Sequence, residues 1–184
     1  MKTLDFLTNH TYDVVIIGAG PAGLFSAFQL LNSIQDLRVL IIDKGLPTER
    51  RFCPAIEGKC TNCRVCHVIS GEGGAGLYSD GKVILNLNVG GHLRDYDPSG
   101  FLRETVLDEV FSIFRRFNLI DKLMQTGGPD RISPDEKEKL QHWGIKGKLY
   151  KVAYYGSRRI QEFVSKLSKG LSNMGVEWLM RTEV

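Results

Sequence analysis

Apolar residues in the first part of the chain fall into short runs separated by turn-forming stretches. Asp13-Val14-Val15-Ile16-Ile17 is a β-branched run with the length and composition of a strand buried on both faces. Gly18-Ala19-Gly20-Pro21-Ala22-Gly23 follows at once, and Leu24, Ala27, Phe28 and Leu31 then recur at helical spacing, which predicts a helix with one buried face. A second apolar run, Arg38-Val39-Leu40-Ile41-Ile42, ends in Asp43. The succession predicts a β-α-β unit and an α/β fold with a parallel sheet. Farther along, Leu107, Val110, Phe111, Phe114 and Phe117 form a helical stripe read as core. Thr126-Gly127-Gly128-Pro129-Asp130 reads as a loop, and Ser133 as the cap of a helix opening on Pro134-Asp135-Glu136. Ser157 is expected to cap a helix carrying Ile160, Phe163, Val164, Leu167 and Leu171, which Gly175 ends before a strand at Val176–Met180.

Each glycine of the first turn has a mechanical reason to be there. Gly18 permits the tight turn from strand to helix, Gly20 lets backbone approach a pyrophosphate, and Gly23 allows the helix to pack closely on the strand. The helix N-terminus presents unpaired N–H groups and a partial positive charge to phosphates. Asp43, ending the next strand, is placed to accept hydrogen bonds from ribose hydroxyls, and an acid here favours an adenosine ribose without a 2′-phosphate. Pro21, Ala22 and Lys44 complete this candidate dinucleotide-binding set. The glycines alone do not separate FAD from NAD.

Gly71-Glu72-Gly73-Gly74-Ala75-Gly76-Leu77 carries four glycines, an expensive concentration in backbone entropy and rare where packing is the only need. A loop running against a cofactor requires such freedom, so Gly73 and Gly74 join the candidate site. Ser79 and Lys82 follow as donors to phosphate or to a flavin ring, ahead of a strand at Val83-Ile84-Leu85. All four cysteines of the chain, Cys53, Cys60, Cys63 and Cys66, are spaced C-x6-C-x2-C-x2-C. Overlapping C-x2-C steps suit an iron–sulfur loop, zinc is an alternative, and metal-free redox thiols are a third reading. His67 reads as a bystander.

Composition bounds the rest. The 184 residues suffice for a domain with its own core, and 42% hydrophobic with 24% charged residues is ordinary for a soluble protein. A formal charge of +3 gives no reason to expect nucleic acid as a partner, and the Arg50-Arg51, Arg115-Arg116 and Arg158-Arg159 pairs read as solvated faces. No apolar run approaches a membrane span, and the N-terminal stretch lacks the apolar core and cleavage site of a secretory signal, which leaves a cytoplasmic protein as the expectation. There is no internal repeat or low-complexity tract.

The Gly18–Gly23 segment with its terminal acid resembles the glutathione-reductase-type FAD/NAD(P)-binding flavoproteins, where this unit lies near the start of the chain. Glu49-Arg50-Arg51-Phe52-Cys53-Pro54, Cys60 to Cys66, Gly71 to Gly76, Ser79-Asp80-Gly81-Lys82 and Tyr155-Gly156-Ser157 resemble a poorly characterised family of bacterial and archaeal FAD-dependent dehydrogenases. That family tends to have His-Gly-Thr-Asp at the last of these, so Tyr155 and Arg158 are departures. The resemblance implies a Rossmann-like FAD-binding domain with Val176–Met180 as the third parallel strand beside Val39–Ile42, and adenine contacts from the chain around Val184. It also implies an FAD-dependent oxidoreductase passing hydride or electrons between a small organic substrate and an electron acceptor.

On this reading residues 1–184 are the N-terminal FAD-binding domain, 44–98 its cysteine- and glycine-rich cofactor loop region, and 99–175 a mainly helical insertion. The later Gly-Asp segment that holds the ribityl chain in such proteins does not occur here, so the sheet and catalytic face are expected to be completed by further sequence. Two other readings stand beside it. One is a non-catalytic nucleotide-binding module with a zinc-braced cysteine loop; the other is an NAD-binding dehydrogenase.

Overall fold

A computed structural model of the chain describes residues 11–84, 99, 101–119, 133–145 and 152–184. The expected loop at Thr126–Asp130 and the first ten residues lie outside them. The chain divides into two compact units, Met1–Ser79 with Ile160–Val184, and Asp80–Arg159.

The first unit contains the β-α-β element. Strand β1 (Val14–Ile17) leads through the glycine turn into helix α1 (Pro21–Ser33) and then strand β2 (Val39–Asp43). Strands β1 and β2 pair in parallel from Val14 opposite Val39 to Ile17 opposite Ile42. The turn carries the imposed geometry: Gly18 has φ +105°, a value that only glycine adopts without strain. Helix α1 buries Leu24, Ala27 and Phe28, the stripe expected from the sequence, with Leu31 half-buried. A Cβ on Gly23 would stand 2.0 Å from the Gly18 carbonyl oxygen, so helix and strand approach through bare backbone.

The same unit closes with the later helix and strand. In the numbering used here they are α4 (Ser157–Asn173), which begins in the second unit, and β5 (Glu177–Met180). Strand β5 pairs in parallel with β2 from Glu177 opposite Leu40 to Met180 opposite Asp43, giving the sheet order β1-β2-β5. This is the third parallel strand that the family resemblance implied, in a Rossmann-like α/β arrangement. Helix α4 buries Phe163, Val164, Leu167, Ser168 and Leu171. It opens at Ser157 itself, so Gly156 (φ +76°) rather than Ser157 holds the residue before the first turn.

The two-sided burial expected of both strands holds for β2 alone. Val39, Leu40, Ile41 and Ile42 are all buried, whereas Val15 and Ile17 are 49% and 68% exposed. Paired residues in a parallel ladder point to the same face. The face of Val15, Ile17, Leu40 and Ile42 is therefore covered over β2 but open over β1, which has a single ladder partner among the described residues.

The second unit pairs strands β3 (Lys82–Ile84) and β4 (Val152–Tyr154) antiparallel, and contains helices α2 (Phe101–Arg116) and α3 (Pro134–His142). On α2 the expected stripe is half-buried, and Ile113 is the deeply buried member among its described side chains. Ser133 caps α3 as its sequence requires: its Oγ accepts from the Glu136 amide at 3.3 Å, and its own amide donates to Glu136 Oε2 at 2.8 Å. Those bonds from Ser133, backbone first and hydroxyl second, hold the Glu136 carboxyl below the usual glutamate range.

Two predictions follow from this geometry. Gly23→Ala should destabilise the protein by about 3 kcal/mol, read as a lower urea midpoint at unchanged slope, because backbone on both sides must move. The α3 cap contributes fully above the ordinary glutamate pKa and is lost as pH falls through the depressed one. The Ser133 and Glu136 amide resonances should therefore titrate together below that ordinary value, and in Glu136→Gln they should not titrate.

Candidate dinucleotide site

The Gly18–Gly23 turn is held from two sides through one residue, Ala19. The Ala19 amide donates to Asp43 Oδ2 at 2.8 Å, and the Ala19 carbonyl accepts from the Gly73 amide at 2.8 Å. Asp43 thus reaches the turn, as its place at the end of β2 suggested, but it does so as a brace. Its other oxygen, Oδ1, accepts from the Gly45 amide at 2.7 Å, and each oxygen keeps a second lone pair for a ribose hydroxyl. A Cβ on Gly20 would meet nothing within 4 Å, so backbone faces open space where a pyrophosphate is expected. Helix α1 has Pro21 in its first turn, no side-chain cap and no acidic residue of its own in that turn.

The glycine block packs directly on this turn. Gly73 (φ +83°) gives the amide that bonds Ala19, and a Cβ on Gly74 would stand 3.2 Å from the Gly20 Cα. Behind the block, a Cβ on Gly73 would meet Val164 of α4 at 3.0 Å. Gly74–Tyr78 forms a short 3-10 turn, and the Ser79 hydroxyl donates to the Gly76 carbonyl at 2.8 Å. The two glycine-rich segments singled out in the sequence are therefore one backbone-to-backbone contact.

Arg51 holds the block in place. It is 7% exposed, and all five guanidinium N–H groups bond backbone carbonyls: His67 twice (3.0 and 2.7 Å), Val68 (3.0 Å), Glu72 (2.6 Å) and Gly74 (2.9 Å). Its guanidinium carbon also lies 5.2 Å from the centre of the Tyr78 ring, whose hydroxyl donates to the Arg51 carbonyl at 2.9 Å. Burial lowers the Arg51 pKa, while Tyr78, Asp43, Glu72 and Cys66 favour its charged form. Reading Arg50-Arg51 as a solvated pair is thus wrong for Arg51. Beside it, Glu72 is 5% exposed and accepts from the Thr48 amide at 2.8 Å.

The four cysteines line one cavity of about 240 Å³ together with His67. Cys53 is half-buried and the other three are exposed, all with free thiols. Cys60 Sγ lies 3.6 Å from Asn62 Oδ1, and Cys63 Sγ lies 3.3 Å from the Thr61 hydroxyl. Among the described residues no three Cys, His, Asp or Glu side chains converge as they stand to hold a metal ion. Sequence reading made His67 a bystander. It lines this cavity and a second one, and its Nδ1 is buried without a hydrogen-bond partner.

Lys82 belongs to the second unit, where its ammonium pairs with Asp80 at 2.7 Å. That hydrogen bond, foremost, lowers the Asp80 pKa. Two motifs of the family resemblance meet there: the Tyr155 amide donates to the Gly81 carbonyl at 3.0 Å, and a Cβ on Gly81 would stand 2.5 Å from Gly156 backbone. Tyr155 is buried beneath Arg159, whose guanidinium carbon is 5.8 Å from the ring centre. Burial raises its phenol pKa against the opposing effect of Arg159. In the first unit, Val184 lies past β5 and is 77% exposed. The chain leading to it is pinned to the end of β2 by Arg181 N–H to Gly45 O (2.9 Å) and Thr182 N–H to Asp43 O (3.0 Å).

No protein-family model matches the chain, and no curated protein sequence does. Among solved structures it is similar to Thermovibrio ammonificans THI4, with 14% identity over 97% of this chain and 42% of that one at a TM-score of 0.37. It is also similar to the L-amino acid deaminase from Proteus vulgaris (12%, 93% and 40%, TM-score 0.38). A third similarity is to NikD, an unusual amino acid oxidase essential for nikkomycin biosynthesis (14%, 92% and 43%, TM-score 0.39). The chain thus spans about two fifths of the length of these proteins. The functional reading rests on the site residues and not on these similarities.

The Arg51 arrangement predicts that Arg51→Met destabilises the protein by about 3 kcal/mol, because four carbonyls lose their donors. Arg51→Lys should recover only part of this, since an ammonium has three donors and no planar fork. Urea unfolding gives the magnitude. Faster hydrogen exchange at the Gly73 amide would locate the damage in the glycine block.

Proposed function

We propose that this chain binds FAD across the Gly18–Gly23 turn and forms the cofactor-binding part of a flavin-dependent oxidoreductase that passes hydride or electrons between an organic substrate and an acceptor. The observation that carries the reading is the pairing of two glycine-rich backbones around one open face. Gly20 and the uncapped start of α1 offer N–H groups to a pyrophosphate, Asp43 stands at the ribose end, and Gly73–Gly74 lies against the same turn. A dinucleotide turn alone needs no second glycine block; a cofactor with a ring system beyond its pyrophosphate gives the block a surface to meet.

In this reading Gly18, Gly20, Pro21, Ala22 and Gly23 hold the pyrophosphate, and Asp43 and Lys44 the adenosine ribose. The chain near Val184 faces adenine, and Gly73, Gly74, Ser79 and Lys82 serve the flavin side. Bound flavin supplies the hydride chemistry, while these residues supply binding, orientation and exclusion of water. Among the described residues no helix is long and apolar enough to cross a membrane.

Because four thiols share one cavity, a second reading attaches to the cysteines: iron–sulfur or zinc bound by Cys53, Cys60, Cys63 and Cys66. An iron–sulfur centre there would move electrons singly; zinc would brace the loop.

The test is an absorption spectrum of protein purified without oxygen, with iron and zinc assayed on the same sample. Near-stoichiometric flavin is expected, and Gly20→Glu, which puts an anion where the pyrophosphate lies, should reduce flavin content at least tenfold while the far-ultraviolet circular dichroism stays unchanged. Protein that takes up no flavin even with added FAD overturns the proposal, and nicotinamide dinucleotide binding in its place moves the reading to an NAD-dependent dehydrogenase.

A further inference from the structure

Helix α4 begins against the usual electrostatic preference. Its first turn, Ser157-Arg158-Arg159-Ile160, carries two cations and no acidic residue, at the end where the aligned peptide dipoles already place a partial positive charge. Gly156, the residue before that turn, sits at φ +76° and has no side chain with which to cap it. A Cβ added to Gly156 would meet nothing within 4 Å, so the helix start opens on free space. The segment itself is held firmly. The Tyr155 amide donates to the Gly81 carbonyl at 3.0 Å, and Gly81 lies against Gly156 backbone too closely for a Cβ between them.

An orphaned donor stands at the same place. Tyr155 is 8% exposed, and its hydroxyl is buried without a hydrogen-bond partner among the described residues. Buried hydroxyls are nearly always bonded, because leaving one unmatched costs its desolvation. Helical side chains lean toward the N-terminus, and Arg159 accordingly reaches back until its guanidinium carbon is 5.8 Å from the centre of the Tyr155 ring. Burial raises the phenol pKa against the opposing effect of Arg159, so at neutral pH the hydroxyl keeps its proton and is a donor. We propose that the start of α4 is an oxyanion site, in which Tyr155, Arg158 and Arg159 hold a carboxylate or phosphoryl group of a small organic ligand.

An oxyanion answers each of these features. It offsets the positive charge gathered at the helix end, gives the phenol an acceptor and fills the space before Gly156. Arginine forks suit its paired oxygens. The chain's own acids do not take this role: Glu162 lies in the second turn of α4, and Asp80, next to Gly81 in sequence, is paired with Lys82 at 2.7 Å. Arg159 is half-buried and donates to the Leu119 carbonyl at 3.4 Å, whereas Arg158 is exposed and is the member that a ligand arriving from solvent meets first.

Tyr155–Arg159 lies wholly within the second unit and shares no residue with the Gly18–Gly23 turn or the Gly71–Gly76 block, so the proposal does not rest on the flavin reading. Its test is a nuclear magnetic resonance titration of FAD-saturated protein with benzoate, inorganic phosphate and the neutral control benzamide. At least one anion should shift the Gly156 and Ser157 amides saturably, less tightly at physiological than at low ionic strength, and benzamide should not. Arg158→Gln should weaken that binding about tenfold with the urea midpoint within error. Tyr155→Phe should weaken it about fivefold with the midpoint unchanged or higher, since it removes a hydroxyl that bonds nothing in the fold. Tighter benzoate identifies a carboxylate ligand and tighter phosphate a phosphoester; both support the site. Four results overturn it: neither anion shifts these amides saturably, benzamide shifts them equally, binding is the same in both variants, or Tyr155→Phe lowers the midpoint without changing affinity. Protein that takes up no FAD gives the same titration in its flavin-free form, so failure of the flavin reading is visible separately.

Discussion

The arrangement around the Gly18–Gly23 turn depends on one buried cation. Arg51 spends every N–H it has on carbonyls of chain without regular secondary structure, from His67 through Gly74. Backbone in such a stretch has no ladder to satisfy its acceptors, and burying it would ordinarily leave carbonyls without donors. A guanidinium resolves this where few other side chains can, since its five donors lie in a fixed plane and its charge strengthens each bond. Isolated burial of that charge would be costly. Here the carbonyl dipoles, the Tyr78 ring and the carboxylates of Asp43 and Glu72 surround it with negative potential.

With the block so fixed, the next links run through backbone amides and a single carboxylate. Gly73 bonds Ala19, Ala19 bonds Asp43, and Asp43 bonds Gly45. No side chain larger than a carboxylate takes part, so the chain of contacts tolerates little substitution and leaves little slack. The same economy explains the approach of Gly23 to Gly18, and of Gly45 to Gly71, where an added Cβ would stand 2.5 Å from the Gly71 Cα. The turn is thereby shaped before any ligand arrives. A preorganised array of amides binds a diphosphate more tightly than a flexible one, because little ordering remains to be done on binding.

Much of this was legible in the sequence, and what was not has a physical reason. The strand–turn–helix–strand order, the buried stripe of α1 and the Ser133–Glu136 cap are local or periodic patterns, and a linear reading captures those directly; the place of β5 beside β2 came from the family resemblance. The exposure of Val15 and Ile17 was not visible, because an apolar run reports the residues' preference and not which face of the sheet is covered. Arg51 was misread because a buried and a solvated arginine pair have the same sequence. The difference is made by carbonyls some twenty residues downstream, and carbonyls leave no mark on residue type.

The position of the cysteines follows from the same interaction. Arg51 precedes the loop, and its bonds to His67 and Val68 fix the chain just after Cys66. The segment from Phe52 to Cys66 is therefore closed at its base by a charged, buried clasp, and the closure entropy that a metal or a disulfide would otherwise have to overcome is already met by folding. Three of the thiols can then remain exposed at the rim of a small cavity without strand or helix to hold them. His67 ties this clasp to the cavities: its carbonyl anchors Arg51, and both His67 and Cys63 line the thiol cavity and the larger one beside it.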